Sequence, residues 1–346
     1  MRPRRATVDV AAILHEAWSR RGLIARMLWP VGAVVGRVGA HRRQQALRRT
    51  GVRGPAPVIV VGNLVVGGAG KTPTTLALVD ALREHGWQPG IVSRGYGRHG
   101  HALVDVATDT PAVMAGDEPL LLRRRADVPV VVAADRVAAL QHLLTAHPQT
   151  DVVISDDGLQ HHQLARDLQI VVFDERGAGN GWCLPAGPLR EPMPERPWPN
   201  TLAIYNAKRP TTPWPGEMLE LHVERAWPLA AWWAGDRGAA VPLSSLGGRR
   251  LVAAAGIARP GRFFESLRTR GLEIVPLPLP DHHRFDTLPW PADAEVIVTE
   301  KDAVKLAALL GSDAARRVWV APLDSRLPHD TVRQVLLALN ASRKTS

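Results

Sequence analysis

The stretch from Pro57 to Leu78, PVIVVGNLVVGGAGKTPTTLAL, leaves this chain few folds to choose from. The apolar run Val58 to Val61 reads as a short parallel strand buried on both faces. A glycine-rich turn, Gly67-Gly68-Ala69-Gly70, follows at once, then Lys71-Thr72. After it Thr75, Leu76, Leu78, Val79 and Leu82 read as a helix. Strand, glycine turn, Lys-Thr and helix, in that order, form the layout of a phosphate-binding loop. Glycines let backbone N–H groups turn onto phosphate oxygens without a side chain in the way. The helix N-terminus adds its positive dipole end. Lys71 then reaches the β- and γ-phosphates, and the Thr72 hydroxyl holds Mg²⁺. The strict spacing G-x-x-x-x-G-K-[ST] asks for glycine at 65, where Val65 stands, and Gly62 lies a little upstream. A chance glycine turn is the alternative, and the agreement of all the parts weighs against it. Pro73 supports the helix start, since proline is tolerated in a first turn.

With 346 residues the chain is long enough for two domains, and 45% apolar with 22% charged residues is a globular composition. The single cysteine, Cys183, excludes an intramolecular disulfide, suits a reducing compartment, and reads as a small filler rather than a nucleophile. The formal charge of +10 is unevenly placed. Residues 1–53 hold twelve arginines and no lysine, against Asp9 and Glu16, so the whole excess lies there and the remainder is balanced. A nucleic-acid enzyme usually carries its basic stripe on the folded body, so nucleic acid is set aside as a partner.

In residues 8–29, Val10, Ile13, Leu14, Ala17, Ile24 and Leu28 recur at roughly helical spacing, with Arg20, Arg21 and Arg26 among them. Pro30 is expected to kink or end this helix. A second apolar stretch, Val31 to Val38, carries Arg37, and the uncharged window between Arg26 and Arg37 is about half what a membrane span needs. The charges also spoil a secretory signal. A basic amphipathic helix lying in the membrane interface fits better, the alternative being an ordinary helix packed on the body.

Further along, Gly90 to Gly97 (GIVSRGYG) reads as a strand entering a glycine loop, where Arg94, Tyr96 and Arg98 are placed to meet an anionic or sugar ligand. Gly116-Asp117-Glu118-Pro119 starts a helix over 120–125, and another follows Asp135-Arg136. The apolar strand 151–155 ends in Asp156-Asp157-Gly158, and a carboxylate at the end of such a strand is the usual second Mg²⁺ anchor of a P-loop fold. Strands at 58–61, 90–92, 128–133, 151–155, 168–173 and 201–205 alternate with helices. That pattern predicts a doubly wound α/β sheet with ligands at the carboxyl ends of its strands. Residues 177–200 form a long Gly/Pro-rich loop, of a kind that is usually functional or mobile. The domain expectation is an arm at 1–53, a P-loop domain at 54–205, a connection at 206–248 containing a hairpin (217–223 with 230–234), and a smaller α/β domain at 249–346. The last helix is expected to pack back on the first domain.

Several stretches together resemble one family, the tetraacyldisaccharide 4′-kinases of lipid A synthesis. They are GNLVVGGAGKTP at 62–73, SRGYG at 93–97, GDEP at 116–119, SDDGLQH at 155–161, GNG and LPAGPLREP within 179–192, GIARPGRFF at 256–264, DHHRF at 281–285 and VTEKDAVK at 298–305. They span nearly the whole chain in order, and the Val65 spacing belongs to the family's own pattern. The arm also looks like the family's membrane-associating part.

The resemblance implies a P-loop NTPase-like kinase that moves the γ-phosphate of ATP to the 4′-hydroxyl of an anionic glycolipid, a tetraacyldisaccharide 1-phosphate, giving lipid IV-A. The work would be done at the cytoplasmic face of the inner membrane, by a peripheral or interfacially anchored protein with no obligate protein partner. By the same resemblance Asn63, Gly67, Gly68, Ala69, Gly70, Lys71 and Thr72 would hold the nucleotide. Thr72 with Asp156 and Asp157 would hold Mg²⁺. Arg190 and Glu191 of the LREP motif would order phosphates or metal. Asp117 paired with His282 would form the base acting on the sugar hydroxyl, with Lys71 stabilising charge; taken alone, His282-His283 would read as a polar surface turn. A partitioning-type ATPase with a similar loop, or a membrane scaffold keeping a degenerate loop, are the competing readings; intact Lys71 and Thr72 argue against the second.

Overall fold

The computed structural model describes residues 18–48, 51–52 and 54–343; the apolar positions Val10, Ile13, Leu14 and Ala17 lie outside the described residues. The protein is α/β, with parallel strands around the glycine turn, a second smaller α/β sheet and an N-terminal helical arm. It divides into two compact units built from interleaved segments. One takes the residues up to Lys71, Asp157–Leu219 and those from Arg333 on; the other takes Thr72–Asp156 and Glu220–Val332.

In the first unit β1 (Val58–Gly62) pairs with β6 (Leu168–Asp174), then follow β7 (Thr201–Asn206) and β8 (Gly216–Met218), all parallel. Every residue of β1 and β6 is buried, which explains the apolar runs Val58–Val61 and Ile170–Phe173. Phe173 on β6 stacks on Tyr205 of β7 and meets the edge of Trp214, with ring centroids 5.6 Å apart in both contacts. The Tyr205 hydroxyl donates to the Trp214 carbonyl at 2.7 Å, so the polar end of this aromatic cluster is satisfied.

In the second unit β2 (Pro89–Ser93) lies between β4 (Val130–Val132) and β5 (Val152–Asp156), both parallel to it, and β3 (Val104–Asp105) adds an antiparallel edge. The helix Arg136–Ala146 returns from β4 to β5; Asp135 caps it by accepting from the backbone N–H groups of Val137 and Ala138. The smaller sheet has the strand Leu251–Ala255 between Ile274–Pro278 and Val296–Thr299, with Val318–Ala321 beyond, all parallel. Its core gathers Leu251, Ala253, Phe263, Phe264, Leu267 and Ile297. Ala230–Ala234, expected as a hairpin strand, instead belongs to the helix Leu229–Ala234. Leu229 and Trp232 bury one side of that turn, a spacing of three that strand pairing cannot satisfy.

Within the described part of the arm the helix Leu23–Arg48 does not end at Pro30, which lies inside it. A proline removes one N–H from the helical ladder, and packing of the following turns outweighs that loss. Gly32 and Gly36 are buried against the segment around Cys183; a Cβ on Gly32 would stand 2.7 Å from the Cys183 carbonyl oxygen and 3.0 Å from the Ala186 Cβ. Gly39 faces Glu191 in the same row. The other side of the helix exposes Leu23, Met27, Val31, Val34 and Val38. By length and composition Leu23–Gln45 is long and apolar enough to cross a membrane.

Candidate active site

β1 delivers the chain into the glycine turn, and the helix Lys71–Glu84 leaves it. Val65 and Val66 do not turn yet. Val65 forms an antiparallel bridge with Leu189, Val66 N–H donates to the Pro188 carbonyl at 2.9 Å, and Arg190 N–H donates to the Leu64 carbonyl at 2.7 Å. Val65 is fully buried in this pairing, which accounts for a valine where the strict motif has glycine. The turn proper is Gly67 to Gly70, with φ of +88° at Gly67 and +99° at Gly70, backbone that side chains resist. The Asn206 side chain lies where a Gly70 Cβ would be and donates to the Ala69 carbonyl at 3.2 Å.

The Asn63 amide donates to the carbonyls of Val65 and Gly67, at 2.7 and 3.1 Å, and its oxygen accepts from Lys71 Nζ at 3.3 Å. Lys71 Nζ also stands 3.6 Å from Asp157 Oδ1. Arg190 reaches the same carboxylate at 3.1 and 3.3 Å. Asn63, Lys71, Asp157 and Arg190, separated by up to 127 residues, are thus one contiguous group in the first unit. Asp157 has φ +48°, an unusual conformation for a non-glycine residue that aims its carboxylate into this group.

Glu191 is placed differently. Its carboxylate accepts from Arg43 at 2.6 and 2.7 Å and from Gln160 Nε2 at 3.0 Å. Gln160 in turn accepts from Arg190 at 3.3 Å, so Glu191 reaches the phosphate loop through other side chains. Arg176, anchored on Asp174, donates to the carbonyls of Val66 and Gly68 at 2.9 and 3.2 Å and braces the turn from outside. Arg43, Gln160 and Arg176 carry no motif signal of their own as binding residues. Gln160 lies within a quoted motif, but the arginines are identifiable only through partners distant in sequence. Burial, with Glu191 adding to it, pushes the Cys183 thiol up to about 11, which agrees with a filler rather than a nucleophile.

In the second unit Asp156, the last residue of β5, is 1% exposed and accepts from the hydroxyls of Thr75 at 3.2 Å and Ser93 at 3.4 Å. Thr72 opens this unit at the first turn of the helix. The same unit brings Asp117 and His282 together. Asp117 begins the helix Asp117–Ala126, and its Oδ2 lies 3.1 Å from His282 Nδ1. His282 has φ +58°, and its backbone N–H donates to the Gly256 carbonyl at 3.3 Å. The Tyr96 ring lies 5.8 Å from the His282 ring, whereas Arg98 turns back to donate to the Ala102 carbonyl. Lys305 Nζ stands 3.9 Å from Asp117 and is held by Asp302, while Lys301 lies against His282 on the other side.

A glycine turn ending in Lys-Thr, between a buried parallel strand and a helix start, is the layout of a P-loop fold, and this chain has that architecture. Residues 24–340 match the model of the Tetraacyldisaccharide-1-P 4'-kinase family, and the chain belongs to that family. It is 53% identical over 328 residues to the tetraacyldisaccharide 4'-kinase of Methylibium petroleiphilum, covering 93% of this chain and 91% of the relative. It is 52% identical over 341 residues to that of Leptothrix cholodnii, covering 96% and 97%. Among solved structures, LpxK from Aquifex aeolicus, crystallised in complex with ATP, shares the fold with a TM-score of 0.75 at 24% identity, over 92% of this chain and all of that one.

Proposed function

We propose that this protein transfers the γ-phosphate of ATP to the 4′-hydroxyl of a tetraacyldisaccharide 1-phosphate, giving lipid IV-A in lipid A biosynthesis. Family membership across residues 24–340 carries this reading. The loop amides of Gly67 to Gly70, with Asn63, Lys71, Thr72 and Arg190, bind the triphosphate. Thr72, Asp156 and Asp157 offer hard oxygen donors of the kind Mg²⁺ takes. When bound, Mg²⁺ neutralises charge on the phosphates. Glu191 supports the site through Gln160 and Arg190.

Asp117 takes the proton of the sugar hydroxyl as that oxygen bonds to the γ-phosphorus and the bond to the β-phosphate oxygen breaks, releasing ADP. His282 orients the carboxylate. Lys71 holds the charge that develops. The arm lies in the interface of the inner membrane on its cytoplasmic face. Its exposed apolar side and Arg26, Arg37 and Arg42 support that placement, each arginine adding roughly 1 kcal/mol near an anionic surface. The glycine side, packed on protein, supports an interfacial position over a free span. The organisation into an arm, a P-loop domain, a connection and a smaller α/β domain belongs to the same reading. Incubation of the purified protein with γ-labelled ATP and the lipid disaccharide tests the function. Label in the lipid is the expected result; label only in free phosphate would favour a water-consuming ATPase.

A further inference from the structure

We infer that Lys301 is the positioning residue that sets the tautomer of His282, confining the ring proton to Nδ1 so that it faces Asp117. The inference rests on the proposed role of the Asp117–His282 pair and extends it to a residue outside that pair. Lys301 Nζ lies 3.4 Å from His282 Nε2, and His282 Nδ1 lies 3.1 Å from Asp117 Oδ2. An ammonium has three donors and no acceptor. Nε2 therefore meets it with a lone pair, and a neutral imidazole with a lone pair on Nε2 carries its hydrogen on Nδ1. In the other tautomer two lone pairs would face each other across the Asp117 contact, and two N–H groups would face each other across the Lys301 contact.

Lys301 can play this part only while charged and held in place. Its ammonium is anchored by Glu118 Oε1 at 3.2 Å and Asp281 Oδ1 at 3.4 Å. Burial works to lower its pKa, but Glu118 and Asp281, with Asp117 behind them, outweigh burial and raise it. The groups around the ring come from several elements. Asp117 and Glu118 start one helix, Asp281 precedes His282 in its own loop, and Lys301 and Lys305 follow the strand Val296–Thr299. The Tyr96 ring covers one side. Lys305, fixed by the fully buried Asp302, stands by the same Asp117 oxygen that His282 engages. With Oδ2 so engaged, Oδ1 is the oxygen left to take the hydroxyl proton. The VTEKDAVK segment thus supplies both lysines of the dyad's frame.

The test is long-range ¹H–¹⁵N spectroscopy of the full-length protein labelled at histidine nitrogen, with the His282 signals assigned by their loss in His282→Gln. The wild type should show the Nδ1–H pattern. Lys301→Met should shift His282 to the Nε2–H or an averaged pattern and lower kcat about 10- to 100-fold with the KM for ATP within about twofold. Lys301→Arg should restore both the pattern and most of the turnover. Should Lys301→Met fold poorly, Lys301→Leu, which likewise has no donor for Nε2, serves instead. An Nε2–H pattern in the wild type, or an unchanged Nδ1–H pattern in the neutral variants, would overturn the inference. If His282→Ala and Asp117→Ala keep full turnover, the dyad reading fails instead, and the spectrum still reports separately on Lys301.

Discussion

Arg43 of the arm and Glu191 of the long irregular loop form a two-pronged ion pair, with N–O distances of 2.6 and 2.7 Å, and both are buried, at 6% and 2% exposure. The Arg43 guanidinium also lies over the Trp198 ring, 3.8 Å from its centroid. A buried pair of this kind is strongly destabilising to break singly, because one charge is left without a partner, while removing both partners is far less costly. Arg43→Met should therefore lower unfolding stability by about 3–5 kcal/mol. Adding Glu191→Leu should recover much of it. Denaturant titration of the singles and the double checks this; additive losses would show that the two act independently.

Lys71→Ala removes the loop's charge together with its contacts to the polar side chains of Asn63 and Asp157, and leaves the apolar residues of β1 in place. Turnover should fall by at least about 100-fold, with the melting temperature nearly unchanged. Near-normal phosphorylation of the lipid would remove Lys71 from the mechanism.

Asp117→Ala and His282→Ala should each lower kcat by about 10² to 10⁴ with little change in nucleotide affinity. If the two groups act as a unit, as proposed, the double variant should be scarcely slower than the worse single. Effects that multiply would separate them.

These residues were legible to different depths. Lys71, Thr72 and Asp156 could be placed from local pattern, because a strand end and a helix start locate a side chain within a few residues of its motif. The central strands were legible within a residue or two, because burial on both faces leaves apolar runs; the edge strands β3 and β8, short and partly exposed, leave no such run. Asp117 and His282 lie 165 residues apart, so only family resemblance joined them. Arg43 could not be found at all: among twelve arginines in a basic segment, nothing marks the one whose partner lies 148 residues away. Helix Leu229–Ala234 was misread as a strand because its tryptophans suit either, and tertiary packing decided.

His162 gives a pH prediction. Burial, then the nearby charges of Arg43 and Arg166, pull its pKa down to about 4 from 6.5. The unfolded chain therefore takes up this proton first. Stability should be unaffected by His162 above about pH 6.5 and should decline as pH falls from there towards about 4. His162→Gln should flatten that part of a melting-temperature profile; an unchanged slope would assign the acid loss elsewhere.

Charging the outer side of the arm tests the proposed contact with lipid. Met27→Asp with Val34→Asp alters exposed positions, so the fold should hold. Binding to anionic vesicles should drop severalfold and the KM for the lipid should rise, while the KM for ATP stays the same. Unchanged vesicle sedimentation would argue that this face meets protein instead.

The glycine row on the arm has a geometric consequence. A flexible tether raises the local concentration of whatever it carries but leaves its orientation free. At Gly32 the helix backbone comes so close to the Cys183 carbonyl that a single methyl group would collide. The arm is therefore a wall of the unit that holds Lys71, not a leash to it. Its angular freedom is given up once, during folding, so that with the arm in the proposed interfacial position a lipid in the plane of the bilayer would meet a surface of fixed orientation.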